Sequence, residues 1–177
     1  MRPENLVFVD ESGVNRAMTR AYARSLRGTR AYGTAPRNWG ENVSILGALC
    51  LRCGPLASMC VNGPTDGPVF LTYLREVLVP KLWRGAVVVL DNLGAHKVGG
   101  VREAIEAAGA RLLYLPPYSP DFNPIELAWS KLKGHLRKVA ARTTEALDRA
   151  IGEGLRAIVP KDARGYFAHC GYHGLLN

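Results

Sequence analysis

The strongest constraint on the fold is a continuous apolar run at residues 86–90, Ala-Val-Val-Val-Leu, which is followed directly by Asp91 and Asn92. β-Branched residues favour strands, and a run without polar alternation is typical of a central strand that is covered on both faces. The run therefore predicts a buried strand in the middle of a sheet, and the strand is expected to end at Asp91.

Apolar, β-forming segments at residues 6–9, 43–51 and 56–61 predict three more strands, the last two joined by a turn at Cys53-Gly54-Pro55. The first of these strands is expected to stop in a turn at Asp10-Glu11-Ser12-Gly13. Residues 17–32 are dominated by arginine and alternate only weakly. They predict one strand followed by an irregular arm through residues 34–40.

Helices alternate with strands in the second half of the chain. Asp66 is placed to cap a helix that runs to about Val79, and Gly109 is placed just after the end of another helix. The predicted helices are residues 66–79, 98–108, 124–139 and a last one from Thr143 or Thr144 to Ile158, with a strand at 111–115 between the second and third.

Antiparallel strands followed by alternating strands and helices predict an α/β fold with a mixed sheet flanked by helices. The order is that of ribonuclease H-like folds. A length of 177 residues suits one core, so residues 1–177 are expected to form a single domain with a C-terminal helical extension from about residue 143.

Composition excludes several classes of protein. A hydrophobic content of 47% is too high for a disordered chain, and no apolar run approaches the ~20 residues of a membrane span. Because the N-terminus does not resemble a signal peptide, we expect a cytoplasmic protein. Cys50 and Cys53 could join a zinc site with His169, Cys170 and His173, but a buried, reduced Cys50 in a strand is the favoured interpretation.

Basic residues are unevenly distributed in a chain whose formal net charge is +8. Between Ser12 and Gly40 there are six arginines and no acidic residue, and residues 127–144 hold five lysines and arginines, again without an acid. Long unbalanced basic stretches in a folded protein indicate a polyanionic partner, of which nucleic acid is the commonest.

Two carboxylates are predicted to meet at the sheet edge. Asp10 follows the first strand and Asp91 follows the valine-rich strand, so neighbouring strands would bring them together where α/β proteins place ligands. A divalent cation such as Mg²⁺ prefers oxygen ligands and would offset their repulsion. Glu11 competes with Asp10 for this role, because both faces of the first strand are apolar and alternation does not decide between them.

Glu126 has two interpretations. Asn123, Pro124 and Glu126 fit the N-cap, N1 and N3 positions of a helix, where the glutamate returns to the N-cap amide. Glu126 also starts a stripe with Ser130, Lys133 and Arg137 beside the apolar face, which suits a metal ligand next to a phosphate backbone. Spacing alone leaves this choice open.

The motifs resemble the DDE transposases of the mariner-like superfamily, and more narrowly the bacterial insertion-sequence branch. They are Asp10-Glu11-Ser12-Gly13, the segment from Asp91 to Lys97, and Leu115-Pro-Pro-Tyr-Ser-Pro-Asp-Phe-Asn-Pro-Ile-Glu126, with 34 residues between Asp91 and Glu126. The resemblance covers the chain from Asn5 to about Tyr172. It implies a ribonuclease H-like catalytic core.

By this resemblance, Asp10, Asp91 and Glu126 bind two Mg²⁺ or Mn²⁺ ions, which resolves both open choices. One ion would help form hydroxide or activate a DNA 3′-OH, and the other would stabilise the leaving oxygen at the scissile phosphate. The implied activity is DNA cleavage and strand transfer by cut-and-paste transposition at TA targets. The alternatives are a metal-dependent nuclease without strand transfer and a non-catalytic DNA-binding relic.

The implied partners are transposon ends and target DNA, with a homodimer in the synaptic complex. His96 and Lys97 are expected to contact DNA or order the site, although a buried structural histidine is an equal interpretation of His96. The chain lacks the helix-turn-helix module of full-length members, so we expect a separately encoded partner to carry it. Basic side chains expected to contact DNA are Arg16, Arg37, Lys133 and Arg137.

Overall fold

The computed structural model describes residues 2–38, 40–117 and 119–173. Trp39 of the predicted arm and Tyr118 of the proline-rich loop lie outside these residues. Five strands and five α-helices follow one another in the described chain. They are β1 (Leu6–Val14), β2 (Val43–Cys50), β3 (Gly54–Asn62), α1 (Gly67–Tyr73), β4 (Val87–Leu90), α2 (Val101–Ala107), β5 (Arg111–Tyr114), α3 (Ile125–Val139), α4 (Thr144–Arg156) and α5 (Pro160–His169).

The strands form one mixed sheet in the order β3-β2-β1-β4-β5. β1 pairs antiparallel with β2, and β2 with β3, whereas β1, β4 and β5 are parallel to one another. β4 thus lies between two parallel neighbours, and all four of its residues are buried. The prediction of a central, doubly covered strand in an α/β fold is confirmed.

Each face of the sheet carries its own hydrophobic core because side chains alternate along the strands. On one face, Leu6 and Phe8 of β1 pack with residues of α3, α4 and α5. On the other, Val7 and Val9 pack with residues of α1 and α2. Within the described residues, no helix combines the length and apolar character that crossing a bilayer requires.

β1 is longer than the sequence predicts, and the expected turn at residues 10–13 is wrong. Pairing with β4 covers Leu6 to Phe8, whereas pairing with β2 continues from Asp10, opposite Gly47, to Val14, opposite Val43. Hydrogen bonds to β2 therefore hold an Asp-Glu-Ser-Gly sequence in a strand although its residues favour turns.

The predicted strand within residues 17–32 is also wrong. Residues 20–35 are exposed and form neither strand nor helix. An arginine-rich segment with no apolar face has nothing to bury against a neighbouring strand, so the irregular arm begins earlier than predicted.

The capping residues predicted at Asp66 and Thr143 are confirmed, whereas the predicted bounds of the helices are only partly correct. Asp66 accepts a hydrogen bond from Val69 N (2.9 Å) and Thr143 from Ala146 N (3.2 Å), as N-caps do. After α1 the chain continues as a π-helical turn over Leu74–Leu78 and a 3-10 turn over Val79–Lys81. Before α2, residues Gly94–Lys97 form a separate 3-10 turn.

α4 is not the last helix, contrary to the prediction. α5 begins at Pro160, the helical position where a missing N–H costs nothing. The Asp162 carboxylate accepts a hydrogen bond from Val159 N at 2.9 Å. These two start signals are local and were readable in the sequence.

Gly47 is required where α3 crosses the sheet. A Cβ atom added at this position would collide with the ring of Trp129, whose indole edge occupies the space. We expect Gly47→Ala to lower the free energy of unfolding by about 1–3 kcal/mol, as overpacked core sites do, measured by urea denaturation.

Gly13→Ala is the matched control. Gly13 also lies in β1–β2 pairing, but nothing lies within 4 Å of a Cβ atom added there. Its free energy of unfolding should stay within about 0.5 kcal/mol of the wild-type value. Equal losses for the two variants would contradict a specific collision with Trp129.

Candidate active site

A cavity of about 390 Å³ opens at the sheet edge, where β4 ends and α3 begins. Its walls combine carboxylates on one side with a proline-rich loop on the other. The described lining consists of Asp10, Asp91, Asn92, Leu93, Lys97, Leu115, Pro116, Pro117, Ser119, Pro120, Asn123 and Glu126. The three carboxylates predicted from the sequence therefore share one cavity.

Asp10 is the most deeply buried of the three carboxylates, with 6% of its surface exposed. Its Oδ2 accepts a hydrogen bond from Trp129 Nε1 at 3.2 Å. Burial raises the pKa of Asp10 to about 7, and the negative charges of Glu126 and Asp91 act in the same direction. Hydrogen bonds from the Glu11 backbone and Trp129 only partly oppose this rise.

The structure places Asp10, and not Glu11, on the face of α3. Asp10 contacts Trp129 of that helix, whereas the alternation of β1 directs Glu11 to the opposite face. Glu11 Oε2 is buried and has no hydrogen-bond partner among the described residues. The ambiguity that the sequence left between the two acids is thus resolved by the packing of α3.

Asp91 follows β4 and is only partly buried. Its Oδ1 accepts a hydrogen bond from Leu93 N at 3.0 Å and contacts Nδ1 of His96 at 2.6 Å. Although partial burial favours a higher pKa, the hydrogen bonds from His96 and Leu93 hold the pKa of Asp91 below the ordinary aspartate value. Because both contacts are made to Oδ1, Oδ2 can face the cavity as a ligand.

His96 is completely buried, so its ring does not present itself to DNA. The ring packs on Phe70 with 4.2 Å between centroids, and its backbone carbonyl accepts a hydrogen bond from the Tyr114 hydroxyl at 3.0 Å. Since the Asp91 carboxylate is the acceptor, Nδ1 carries the proton. Of the expected roles, the geometry agrees with a buried histidine that orders Asp91 and does not favour a contact between the ring and DNA.

Glu126 does not act as a helix cap. The first turn of α3 has no side-chain cap hydrogen bond, and Asn123 Oδ1 is buried without a partner among the described residues. Only the backbone follows the predicted pattern, since Glu126 N donates to Asn123 O at 3.1 Å. The exposed carboxylate of Glu126 therefore lines the cavity near the N-terminus of α3.

The donor set fits a divalent cation. Three carboxylates face one cavity, and the raised pKa of Asp10 reflects the cost of keeping buried negative charge without a counterion. Among the described residues, no group of three histidine, cysteine, aspartate or glutamate side chains is close enough to hold a metal as it stands. A cation would have to draw the carboxylates together.

Comparison with known proteins assigns the chain to a family. The sequence profile described as DDE superfamily endonuclease matches residues 5–148. The chain belongs to this family. The family is one of endonucleases, and membership therefore implies phosphoryl transfer on DNA.

Individual relatives are more distant. The transposable element Tc1 transposase of Caenorhabditis elegans is 31% identical over 90 residues, which cover 51% of this chain and 33% of that protein. The Mos1 mariner paired end complex with Mn matches with a TM-score of 0.75 and 18% identity, over 94% of this chain and 52% of that one. The chain thus spans about half or less of the length of these relatives.

The catalytic domain of Mos1 mariner transposase matches with a TM-score of 0.65 and 14% identity, over 94% of this chain and 77% of that domain. At such identity the likeness concerns the fold. The predicted ribonuclease H-like fold, a mixed five-stranded sheet flanked by helices, is confirmed.

The predicted DNA-contacting residues lie in different places. Lys97 lines the carboxylate cavity, with Nζ 5.7 Å from the Tyr114 ring centroid. Arg16, Arg37, Lys133 and Arg137 are outside the described lining of this cavity. Arg137 instead lines a second cavity, together with residues 19–23 and 31–35.

Sequence reasoning did not foresee the hydrogen bond from Trp129 of α3 to Asp10. A buried indole N–H needs an acceptor, and this requirement is a readable signal. It also missed the pairing of Cys50 with Cys53 as a disulfide at the β2–β3 turn. Burial of Cys50 is confirmed, but the expectation that Cys50 is reduced is wrong, and the described residues hold no zinc cluster.

Asp10→Asn is expected to stabilise the cation-free protein more at pH 8 than at pH 4. Burial raises the pKa of Asp10 from 3.8 to about 7, so between these values the folded state keeps a proton that the unfolded state has released. Stability is therefore lost as pH rises from 4 to 7, by on the order of 4 kcal/mol at about 1.36 kcal/mol per unit. Asparagine does not titrate.

The measurement is urea unfolding of both proteins in EDTA at several pH values. The difference between variant and wild type should grow from pH 4 to pH 7 and then level off. A difference that stays constant over this range would show that the pKa of Asp10 is not raised in the folded protein.

Proposed function

We propose that this chain is the catalytic domain of a mariner-like transposase, which cleaves a DNA strand and joins its 3′ end to target DNA. The observation that carries the proposal is the convergence of Asp10, Asp91 and Glu126, from three separate elements, on one cavity. Membership of the DDE superfamily endonuclease family and the similarity to the Tc1 transposase support it.

In the proposed active site, Asp10, Asp91 and Glu126 hold two Mg²⁺ or Mn²⁺ ions. When bound, these ions would activate the attacking oxygen and stabilise the leaving oxygen at a phosphodiester. Mos1 complexes are described with Mn and with Mg, which supports the choice of metals.

The surrounding residues prepare these ligands. Trp129 donates to Asp10 Oδ2 from the face of α3, and His96 and Leu93 hold Asp91 through Oδ1. These hydrogen bonds would orient the two aspartate carboxylates before a cation arrives, as outer-shell partners of metal sites do. Lys97 lines the cavity wall, and in the proposed function its ammonium group would pair with a DNA phosphate.

Transposon ends and target DNA are the proposed substrates, and two copies of the chain would act together. Solved relatives include a Mos1 paired end complex and a Mos1 strand transfer complex, and the net charge of +8 suits DNA. Residues 1–177 would act as one catalytic domain, with a C-terminal helical extension from about residue 143 that includes α4 and α5. The motif resemblance supports the bacterial insertion-sequence branch and a TA target.

Metal binding tests the proposed ligands without requiring a transposon end. Mn²⁺ binding to the full chain, followed by calorimetry, should be lost in Asp10→Asn, Asp91→Asn and Glu126→Gln, because each removes a charged ligand. Glu11→Gln is the matched control, since Glu11 is adjacent in β1 but lies on the other face. Retained binding in Asp10→Asn and loss in Glu11→Gln would overturn the assignment.

The same variants test the activity. In Mg²⁺, the wild type and Glu11→Gln should nick supercoiled plasmid, and the three ligand variants should not. Joining of an oligonucleotide 3′-OH to the plasmid would show strand transfer, whereas nicking without joining would leave a nuclease. If the wild type, supplied with a helix-turn-helix part, binds DNA but neither nicks nor joins it, the non-catalytic interpretation is correct.

His96 is proposed as a positioning residue for Asp91. His96→Phe keeps a ring against Phe70 but removes the Nδ1 hydrogen bond to the carboxylate. We expect the apparent affinity for Mg²⁺ to fall about 10–100-fold, as loss of an outer-shell partner does, with much of the nicking rate recovered at high Mg²⁺.

The measurement is the Mg²⁺ dependence of plasmid nicking, with thermal unfolding as a check on folding. Tyr114→Phe, which removes only the hydrogen bond to the His96 carbonyl, is the control and should change the Mg²⁺ dependence little. An unchanged Mg²⁺ dependence in His96→Phe would contradict the positioning role.

A further inference from the structure

The segment between β1 and β2 contains an exposed arm, defined here as residues 19–35. Its tip is a turn in which Thr29 N donates to Leu26 O at 3.0 Å and the Ser25 hydroxyl donates to Thr29 O at 2.7 Å. Gly28 adopts φ +83° in this turn, a conformation that glycine tolerates best. The turn divides the arm into two limbs, residues 19–24 and 30–35.

Each limb carries the same three residues. Arg20-Ala21-Tyr22 lies on the first limb, and Arg30-Ala31-Tyr32 follows ten positions later on the second. The tyrosines are 92% and 90% exposed. An aromatic ring normally buries much of its apolar surface, so two almost fully exposed rings on one arm indicate a surface for a ligand.

The root of the arm is tied to the end of α3. The Arg142 guanidinium donates to the backbone carbonyls of Arg16 (2.7 Å) and Met18 (3.1 Å). A cavity of about 480 Å³ lies between the limbs and this helix end, and Arg137 and Lys138 line its other wall. The arm and α3 therefore form a groove whose charged residues are basic on both walls.

We propose that this arm binds an unpaired DNA strand, with phosphates on the arginines and bases stacked on Tyr22 and Tyr32. The proposal rests on the proposed function and deepens it by naming the form of DNA that this surface takes. Basic grooves with exposed aromatic rings are the usual means of binding single strands, because every base offers a face for stacking. The arm has no acidic residue to repel phosphates.

The exposed rings favour an unpaired strand over the other partners. In a duplex the base faces are already stacked on one another, so the arginines alone would suffice and the rings would stay in water. The basic residues on both walls of the groove favour a phosphate backbone over a protein surface.

The test is fluorescence anisotropy of the full chain with labelled single-stranded and duplex oligonucleotides of equal length, in EDTA. Tyr22→Ala/Tyr32→Ala should weaken single-strand binding about 30-fold or more, since the loss of each of the two base–aromatic contacts costs at least about 1 kcal/mol. Duplex binding should change little. Tyr22→Phe/Tyr32→Phe keeps the rings and should bind as the wild type does.

Arg20→Gln/Arg30→Gln separates charge from stacking. It should weaken single-strand and duplex binding alike and flatten their salt dependence, because phosphate contacts release counterions. All arm variants should keep the wild-type melting temperature, since the changed side chains are exposed.

Unchanged single-strand affinity in the double alanine variant would overturn the proposal, as would an equal loss for duplex or for the phenylalanine variant. Loss of a dimer in the alanine variant, seen by sedimentation without loss of DNA affinity, would assign the arm to protein contact instead. Asp91→Asn should bind the strand normally in EDTA, so failure of catalysis and failure of the arm are separable.

Discussion

The contact between Trp129 and β1–β2 is the interaction on which the site depends. The indole ring lies over Gly47, the one residue type that leaves room for it, while Nε1 donates to Asp10 on the neighbouring strand. This single side chain therefore sets how closely α3 approaches the sheet. Since Glu126 stands one turn earlier on the same helix, the docking of Trp129 also brings Glu126 to the cavity of Asp10 and Asp91.

The two aspartates occupy different electrostatic environments although they face one cavity. Asp10 is enclosed by the sheet and α3, and burial raises its pKa, whereas the hydrogen bonds of His96 and Leu93 keep the pKa of Asp91 low. A cation would relieve the cost of ionising Asp10 and would find Asp91 already ionised. The cavity thus combines one aspartate whose ionisation is opposed by burial with another whose ionised form is stabilised by hydrogen bonds.

Much of this architecture was predictable because its signals are local. The valine run, the caps at Asp66 and Thr143 and the periodicity of α3 depend on neighbours within a few residues, and each predicted its element. β1 and the arm were not predictable in this way. The turn-forming residues 10–13 stay extended because β2 pairs with them, and the arginine-rich segment gains no such partner.

For the site, the sequence by itself determined the acids available and their position next to strand ends and a helix start, since these follow from local pattern. It did not determine whether Asp10 or Glu11 faces the cavity, or whether Glu126 caps its helix. Those choices were decided by the tertiary structure, because they depend on which face of β1 meets α3 and on which side chains, such as Trp129 and His96, reach the carboxylates across long stretches of chain.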